Sequence, residues 1–509
     1  MSLTLVIGGT RSGKSAHAER LAIASGENVR YVATADASDP SMAERIRAHV
    51  ARRPATWETA QVDEELAGAL AKRGVSLVDG LGTWIAGRLS RADGRADGVI
   101  DQVQRLIDAS RRTEVIVVAE EAGQGLLPAD VLSRAWLDLL GEAIQLLSAA
   151  ADRVDYVVAG RPIPLAGRPS PTAHGLRHHG DGDVRPGDSD HAVNVLAPGP
   201  PEWLCDALAG VLQSAAERYP DESAATVATA ALHGRDPSEI VPTNGAAEAL
   251  WLLGPALRPR LAACVHPGFT EAEAALHAHG IAVTRVQRDP DAAFALDSAA
   301  VPEAADLVIV GNPASPSGTL DPASAVLALR APGRVLVVDE AFMSMIPGEP
   351  GSLAGERLAD VIVIRSLTKL LSIPGLRAGY AIAPPALADA LRAVRPPWSA
   401  NALALAALTA AASHPQELAA LAERAAAERA DLERRLQTLH GIRTWPSATN
   451  FCLVEVPDGP RALAALRAQR IAVRPAASFP GLGAGHLRIT ARGPERNERL
   501  VATLAEALV

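Results

Sequence analysis

The sequence is short of most features that declare a specialised class of protein. Its 509 residues include three cysteines, Cys205, Cys264 and Cys452, far apart and without CxxC or metal-ligand spacing. That excludes a disulfide scaffold and points to reduced cytosolic thiols. Aromatic residues make up 3% against 48% hydrophobic overall, so the cores must be packed mainly from alanine, leucine and valine. Basic charge is not in excess: the formal net charge of -9 excludes a general nucleic-acid binder, whose footprint is basic. No apolar run approaches the roughly 20 residues that a membrane span needs. The start, Met1 to Ile7, runs straight into Gly8-Gly9, too short and uncharged for a signal peptide. Internal repeats are lacking as well. The expectation is a soluble cytoplasmic protein of roughly three or four folding units.

What is present begins at once. The apolar run Leu3 to Ile7 ends in Gly8-Gly9-Thr10-Arg11-Ser12-Gly13-Lys14-Ser15, the pattern G-x-x-x-x-G-K-S, and an Ala-rich helical pattern follows from Ala16 to Ala24. In that context backbone N–H groups and the helix dipole hold phosphates, Lys14 reaches the outer ones, and Ser15 can ligate Mg²⁺. Strand signals recur at Val29–Ala33, Ser76–Asp79, Val115–Ala119 and Val154–Val158, separated by helical patterns. The alternation predicts a parallel sheet in an α/β layer. Val78-Asp79-Gly80-Leu81 puts a carboxylate at a strand end, where an Mg²⁺-linked acid belongs. Between the second and third strands, the segment Met42 to Pro54 places His49 among Arg45, Arg47, Arg52 and Arg53. By residue type alone, such a histidine reads as a solvated side chain. A glycine-hinged loop, Glu121-Ala122-Gly123-Gln124-Gly125-Leu126-Leu127-Pro128, follows the fourth strand.

Together, the glycine loop, the R-I-x-x-H-x-x-x-R-P segment from Arg45 to Pro54, Val78–Leu81 and the E-x-G-x-G-x-x-P loop resemble adenosylcobinamide kinase/adenosylcobinamide-phosphate guanylyltransferase. The likeness covers residues 1–165. It implies a P-loop domain that takes GTP or ATP with Mg²⁺ as substrate, bound by Gly8, Gly9, Thr10, Arg11, Ser12, Gly13, Lys14, Ser15 and Asp79. It further implies His49 as the nucleophile that attacks GTP and carries GMP. Glu120 stands where that family usually has asparagine, and Gln61 where it often has an acid.

From Arg161 to about Asp190 the composition turns to proline, glycine and scattered His, Asp and Arg without periodicity, which is linker character. The chain then divides into a nucleotide domain at 1–165, a linker at 166–190, a large domain at 191–400, and a long helix with a small domain at 401–509. His178-His179-Gly180-Asp181 has metal-binding composition but no second ligand pair at fixed spacing.

A second α/β pattern follows. Glu202–Glu217 and Ser223–Leu232 read as helices, and Thr243-Asn244-Gly245-Ala246 opens an apolar helix, again a phosphate-ready N-terminus. Pro267-Gly268-Phe269 offers an aromatic face after a strand. The strand Leu307–Val310 ends in Gly311-Asn312-Pro313, and Val335–Val338 ends in Asp339-Glu340-Ala341-Phe342. The run Val361–Ile364 delivers Ser366-Leu367-Thr368-Lys369, with Arg377 and Gly379 downstream. A lysine between a buried strand and a Pro/Gly bend is poorly solvated, so its amine can be neutral and nucleophilic. Ser366, Thr368 and Arg377 offer a phosphate cradle beside it. Alone, the tetrapeptide fits a surface Lys/Arg pair after a core strand equally well. Each other feature also has an ordinary explanation as a turn, a helix cap or a core aromatic. Their order meets four requirements of pyridoxal phosphate: a carboxylate for the pyridinium nitrogen, an asparagine for the phenolic oxygen, a ring to stack, and a lysine for the aldehyde. The Ala-rich stretch 402–436 predicts one long helix.

From about residue 175 onward these motifs resemble the fold-type I pyridoxal-phosphate enzymes of the histidinol-phosphate aminotransferase type, and within them the L-threonine-O-3-phosphate decarboxylase, CobC-like branch of cobalamin synthesis. The resemblance implies Lys369 as the lysine that joins the cofactor, Asp339 as the pyridinium partner, Asn312 on the cofactor oxygen and Phe269 stacked. Gly245, Ala246, Ser366 and Arg377 would hold the cofactor phosphate. Arg488, in Gly485–Thr490, would anchor the substrate carboxylate, with His178, Asn194 and Asn401 as further substrate residues, and a homodimer is implied. The expected protein is a bifunctional cobalamin-assembly enzyme. One half would decarboxylate L-threonine phosphate to aminopropanol phosphate; the other would phosphorylate adenosylcobinamide or transfer GMP to its phosphate. The alternative is aminotransfer, on histidinol phosphate or an aromatic amino acid, with an N-terminal module that binds nucleotide without turnover.

Overall fold

The computed structural model describes residues 2–25, 28–34, 53–54, 56–62, 65–72, 74–91, 98–121, 128–167, 176 and 178–508. The chain forms two compact units, Met1–Pro171 and Thr172–Val509.

In the first unit, β1 (Leu3–Gly8) leads through the glycine loop into α1 (Lys14–Ser25). There follow β2 (Val29–Ala33), β3 (Glu58–Gln61), β4 (Val75–Asp79), α2 (Leu81–Arg91), α3 (Val99–Ser110), β5 (Glu114–Glu120), α4 (Val131–Ala150), β6 (Arg153–Val158) and β7 (Arg161–Gly167). The sheet order is β3-β2-β4-β5-β1-β6-β7, parallel except for the β6–β7 pair. Every residue of β1 is buried, as a parallel strand covered on both faces requires. Leu5, Ile7, Val78 and Val117 of the strands pack against Trp84, Ile85, Leu106 and Leu140 of the helices.

The strand β7 departs from the compositional reading, which makes Arg161 the start of a linker. Pro162 and Pro164 each lack an N–H, yet β7 is an edge strand, so one side of its backbone needs no ladder partner.

The second unit opens with a 3-10 turn, Gly180–Asp183, and β8 (Ser189–His191), which pairs with a strand near the C-terminus. Residues 178–190, within the stretch that composition reads as linker, thus carry ordered structure. Then come α5 (Glu202–Glu217), α6 (Ser223–Leu232), β9 (Ile240–Asn244), α7 (Gly245–Leu257), β10 (Leu261–His266), α8 (Glu271–Ala278), β11 (Ala282–Gln287), β12 (Leu307–Gly311) and α9 (Ala323–Leu327). After these are β13 (Val335–Asp339), β14 (Val361–Ser366), β15 (Ala378–Ile382) and α10 (Pro385–Val394). The large sheet runs β11-β10-β12-β13-β14-β15-β9, with β15 antiparallel to both neighbours. Its core is Leu250, Leu253, Ile309, Val337, Ile362 and Ile364 among others, aliphatic as the composition requires.

The predicted long helix is two helices, α11 (Ala402–Ala412) and α12 (Pro415–Leu436). Pro415 has no N–H to continue the first helix, but at the first turn of the second it costs nothing. The small sheet, β16 (Arg443–Thr444), β17 (Phe451–Glu455), β18 (Ile471–Pro475) and β19 (His486–Thr490), runs β16-β17-β19-β18-β8. The helices α13 (Gly459–Ala468) and α14 (Pro494–Leu508) complete this part, sharing a core of Leu432, Val454, Leu466, Ile489 and Leu500. Among the described residues, no helix is long and apolar enough to cross a membrane.

Candidate functional site

In the second unit, β10, β12, β13 and β14 are neighbours, so their carboxyl ends lie side by side, where open parallel sheets bind ligands. Phe269 follows β10, Asn312 follows β12, Asp339 ends β13, and Ser366 to Lys369 follow from the end of β14. Asn312 N donates to Asp339 O at 3.0 Å, and Glu340 N to Ile364 O at 2.9 Å, so the ends of β12, β13 and β14 are laced together by backbone. This is where the sequence puts its cofactor residues.

Lys369 is held down to about 8, first by burial and then by the charges of Arg488 and Arg377, with Asp339 and Asp181 pulling the other way. Its carbonyl accepts from Leu196 N at 2.9 Å. Burial pushes Asp339 up to about 6 against a hydrogen bond from Ala341 N at 3.1 Å and the charge of Lys369. The Asn312 amide is fixed at both ends by Asp321: Nδ2 donates to its carbonyl at 3.1 Å, and Oδ1 accepts from its N–H at 2.9 Å. Nδ2 carries a second N–H that a ligand oxygen can use.

An anion cradle adjoins these residues. Gly245 begins α7 at φ +76°, and the Asn244 side chain caps none of the first amides. A Cβ on Gly245 would come 2.8 Å from Nη2 of Arg377, and one on Gly379 would come 2.5 Å from Ala246 N. Glycine at both positions therefore lets a helix N-terminus and a guanidinium converge, an arrangement suited to a phosphate. Ser366 is buried on the adjoining strand end. The predicted residues Gly245, Ala246, Ser366 and Arg377 are thus brought together and fit a cofactor phosphate. Asn401 caps α11 through Ala404 N at 2.9 Å, and its Nδ2 donates to Leu376 O at 2.8 Å, holding the residue before Arg377.

Arg488, on β19, is buried and lowered to about 9, first by burial and then by the nearby charge of Arg474. Nη1 reaches Ser315 Oγ at 3.2 Å and Nη2 reaches Ala192 O at 2.9 Å, while Nε has no hydrogen-bond partner among the described residues. A buried donor left over on a charged group fits a carboxylate ligand. Sequence reasoning missed its neighbour. Arg474, on β18, pairs in register with Arg488 and is lowered to about 10 by burial. It donates to Asp183 Oδ2 at 3.4 Å, His178 O at 2.6 Å and Ser478 Oγ at 2.8 Å. The available signal was an arginine closing the apolar run Ile471-Ala472-Val473.

Of the weaker substrate candidates, Asn194 is buried and accepts from Thr490 Oγ1 at 2.7 Å, two residues beyond Arg488. The His178 side chain pairs with Asp183 at 3.2 Å. His179 turns to Glu271 at 2.8 Å, with its ring 5.9 Å from that of Phe269. The adjacent histidine, not His178, therefore sits beside the predicted stacking ring.

The nucleotide residues occupy the first unit. A Cβ on Gly8 would meet Ser12 Oγ at 2.5 Å, and Gly13 has φ +92°, so the tight loop needs glycine at both positions. Gly160 N donates to Ser12 O at 2.7 Å and steadies the loop from β6. The Thr10 and Arg11 side chains are exposed on its rim, and Lys14 Nζ folds back to Gly9 O at 3.3 Å. Ser15 Oγ donates to Asp79 Oδ1 at 2.9 Å, the pair of hard oxygen donors that suits Mg²⁺. Tyr31 OH donates to Asp79 Oδ2 at 2.6 Å, and the Arg53 guanidinium lies 3.3 Å over the Tyr31 ring. Glu120 accepts from Gly82 N at 2.7 Å, so it caps the start of α2, where the helix dipole favours a carboxylate. His49 and the loop residues 122–127 lie outside the described residues.

Comparison with known proteins bears on both units. Residues 4–165 match the family described as cobinamide kinase / cobinamide phosphate guanyltransferase, and residues 206–507 the family described as aminotransferase class I and II. A histidinol-phosphate aminotransferase of Mycobacterium tuberculosis is 44% identical over 335 residues, 65% of this chain and 90% of that protein. A threonine-phosphate decarboxylase of Salmonella typhimurium is 32% identical over 332 residues, 63% of this chain and 91% of that protein. The bifunctional adenosylcobalamin biosynthesis protein CobP of Pseudomonas aeruginosa is 39% identical over 174 residues, 32% of this chain and 98% of that protein. Among solved structures, the L-threonine-O-3-phosphate decarboxylase of Porphyromonas gingivalis superposes with a TM-score of 0.58 at 24% identity, over 63% of this chain and 99% of that one. At that identity the likeness is one of fold.

Proposed function

The chain belongs to the aminotransferase class I and II family and carries a cobinamide kinase / cobinamide phosphate guanyltransferase domain ahead of it. From that premise we propose that it decarboxylates L-threonine O-3-phosphate to aminopropanol phosphate, and phosphorylates adenosylcobinamide or transfers GMP to its phosphate. The observation that carries the first activity is the buried pair Arg474 and Arg488, of which Arg488 lies close enough to Lys369 for its charge to lower the amine. Threonine phosphate brings a carboxylate and a phosphate on one small amino acid, and two adjacent guanidinium groups suit both.

Pyridoxal phosphate, when bound, supplies an aldehyde for amines and a ring that takes up electrons released at Cα. The residues around it would divide the work. Lys369, lowered to about 8, presents a partly neutral amine near neutral pH. Asp339, at about 6, is ionised at neutral pH and would keep a proton on the ring nitrogen. Asn312 Nδ2 would donate to the ring oxygen, while Gly245, Ala246, Ser366 and Arg377 hold the phosphate. Arg488 and Arg474 would orient the substrate, and orientation decides which Cα bond is broken.

The second reading is aminotransfer on histidinol phosphate, favoured by the name of the 44% identical relative. Incubating the cofactor-loaded chain with threonine phosphate separates the two. Release of CO₂ without a 2-oxo acid is expected; amino-group exchange with 2-oxoglutarate and no CO₂ would sink the decarboxylase reading.

For the first unit, Lys14 would reach the outer phosphates, Ser15 and Asp79 would hold Mg²⁺, and His49 would carry GMP. Labelled GTP is expected to leave an acid-labile label that His49→Ala lacks; GTP binding without any label would favour a module without turnover. Two copies would pair through the second unit. Tyr219 and Trp398 stack at 4.3 Å yet stay 76% and 55% exposed, with Leu212 and Val227 exposed on α5 and α6, which supports burial against a partner.

A further inference from the structure

A buried tyrosine keeps its hydroxyl satisfied, and any core acceptor serves that need. Tyr31, 3% exposed on β2, has instead taken the acid that meets the glycine-loop serine. Its OH donates to Asp79 Oδ2 at 2.6 Å while Ser15 Oγ donates to Oδ1 at 2.9 Å, so the carboxylate is gripped at both oxygens. The backbone behind it is pinned as well: Thr34 Oγ1 donates to Asp79 O and Gly80 O at 2.8 Å each. On the other side of the ring, the Arg53 guanidinium lies 3.3 Å from the centroid, a cation–π contact on a partly buried face. One side chain therefore touches the acid at a strand end and an arginine from a separate part of the chain.

We infer that Tyr31 is a positioning residue of the nucleotide site: its hydroxyl fixes the Asp79 carboxylate toward Ser15 and the magnesium they would share, and its ring seats Arg53 as a cation beside them. The inference rests on the nucleotide reading of the first unit and adds a residue to it. Partners that orient a metal-binding carboxylate change metal affinity by about 10- to 100-fold when removed.

The test is a titration of GTP binding to the full-length chain by Mg²⁺, from EDTA upward, which needs no turnover. Tyr31→Phe keeps the ring and its packing but lacks the hydroxyl. The Mg²⁺ concentration that half-saturates the metal-dependent gain in GTP affinity should rise about 10-fold or more, with affinity in EDTA unchanged. In an Asp79→Asn background, the same substitution should add nothing, because its effect runs through that carboxylate. Tyr31→Leu should in addition weaken GTP binding in EDTA, as Arg53 loses its seat. Tyr31→Phe titrating at the wild-type Mg²⁺ concentration, or shifting it equally in the Asp79→Asn background, overturns the role of the hydroxyl. Tyr31→Leu binding GTP in EDTA as well as Tyr31→Phe does overturns the seat for Arg53. A wild-type chain without Mg²⁺-dependent GTP binding would remove the nucleotide reading itself, and this inference with it.

Discussion

Arg474 and Arg488 face each other in register across the antiparallel strands β18 and β19, two buried guanidinium groups in one cross-strand pair. Like charges placed so are unfavourable unless anions join them. Asp183, 3.4 Å from Arg474, supplies one, and Arg488 keeps an Nε without a hydrogen-bond partner among the described residues. The pair thus leaves one donor of Arg488 open to a ligand anion, and takes a second anionic group where it displaces Asp183 from Arg474. Arg488→Ala should raise KM for threonine phosphate and for threonine alike, since both carry the carboxylate. Arg474→Ala should raise KM for threonine phosphate alone. Losing one partner of a buried, hydrogen-bonded charge pair costs about 2–5 kcal/mol. Equal effects of Arg474→Ala on the two amino acids would show that it does not read the phosphate.

Lys369 sits at about 8 because burial, and after it Arg488 and Arg377, disfavour its charged form. A protonated amine does not condense with an aldehyde, so the rate at which the cofactor-free chain captures pyridoxal phosphate should climb with pH and level off above 8. Below that value the rate should fall roughly tenfold per pH unit. Arg488→Ala removes a positive charge, which raises the lysine and moves the midpoint upward. Absorbance of the bound cofactor follows the reaction, and a midpoint that stays put in the variant would show that the charge of Arg488 does not contribute to the shift.

The strand ends that build this cleft were legible because buried parallel strands are continuous apolar runs followed by polar residues. Val335–Asp339 and Val361–Ser366 show this plainly. What escaped has identifiable causes. Pro162 and Pro164 imitate a linker, and the edge position that admits them as a strand is a property of the whole sheet. Pro415 marks a helix start, but the alanine-rich flanks mask the break. Arg474 looks like any charge at a strand end until the register sets it against Arg488, and register between distant strands is not written locally. Tyr31 reads as a core aromatic of β2, and its hydroxyl acquires meaning through Asp79 on the neighbouring strand.

Glu273 is the centre of a buried ion cluster in the second unit. His266 Nε2 lies 2.9 Å from one oxygen, and His277 Nε2 at 3.1 Å and Arg285 Nη2 at 2.7 Å meet the other. Burial pushes its carboxyl up, but bonds from His266, His277 and Arg285 outweigh it and hold the group well below the usual range. A depressed carboxylate stabilises the fold above its unfolded pKa and loses that contribution as pH falls. Glu273→Gln should therefore destabilise the second unit by about 3–5 kcal/mol at neutral pH, with the gap to wild type narrowing below about pH 4.5. Calorimetry across pH checks both; a variant that melts with wild type at pH 7 would show the cluster to be energetically neutral.

Asp183 stands where the second anion of a substrate would compete. Its carboxyl, pushed up to about 6 by burial, lies 3.4 Å from Arg474 and 3.2 Å from His178 Nε2, on the turn that covers both arginines. Above that pH it is charged and occupies Arg474; below it, protonation weakens its hold. Asp183→Asn should then lower KM for threonine phosphate by about 5-fold at pH 8, equivalent to about 1 kcal/mol. At pH 5 wild type and variant should converge, because the wild-type group is then neutral as well. The ratio of KM values at the two pH values is the measurement. A ratio independent of pH, or a KM that rises in the variant, would mean that Asp183 holds the turn in place and does not contend for the arginine.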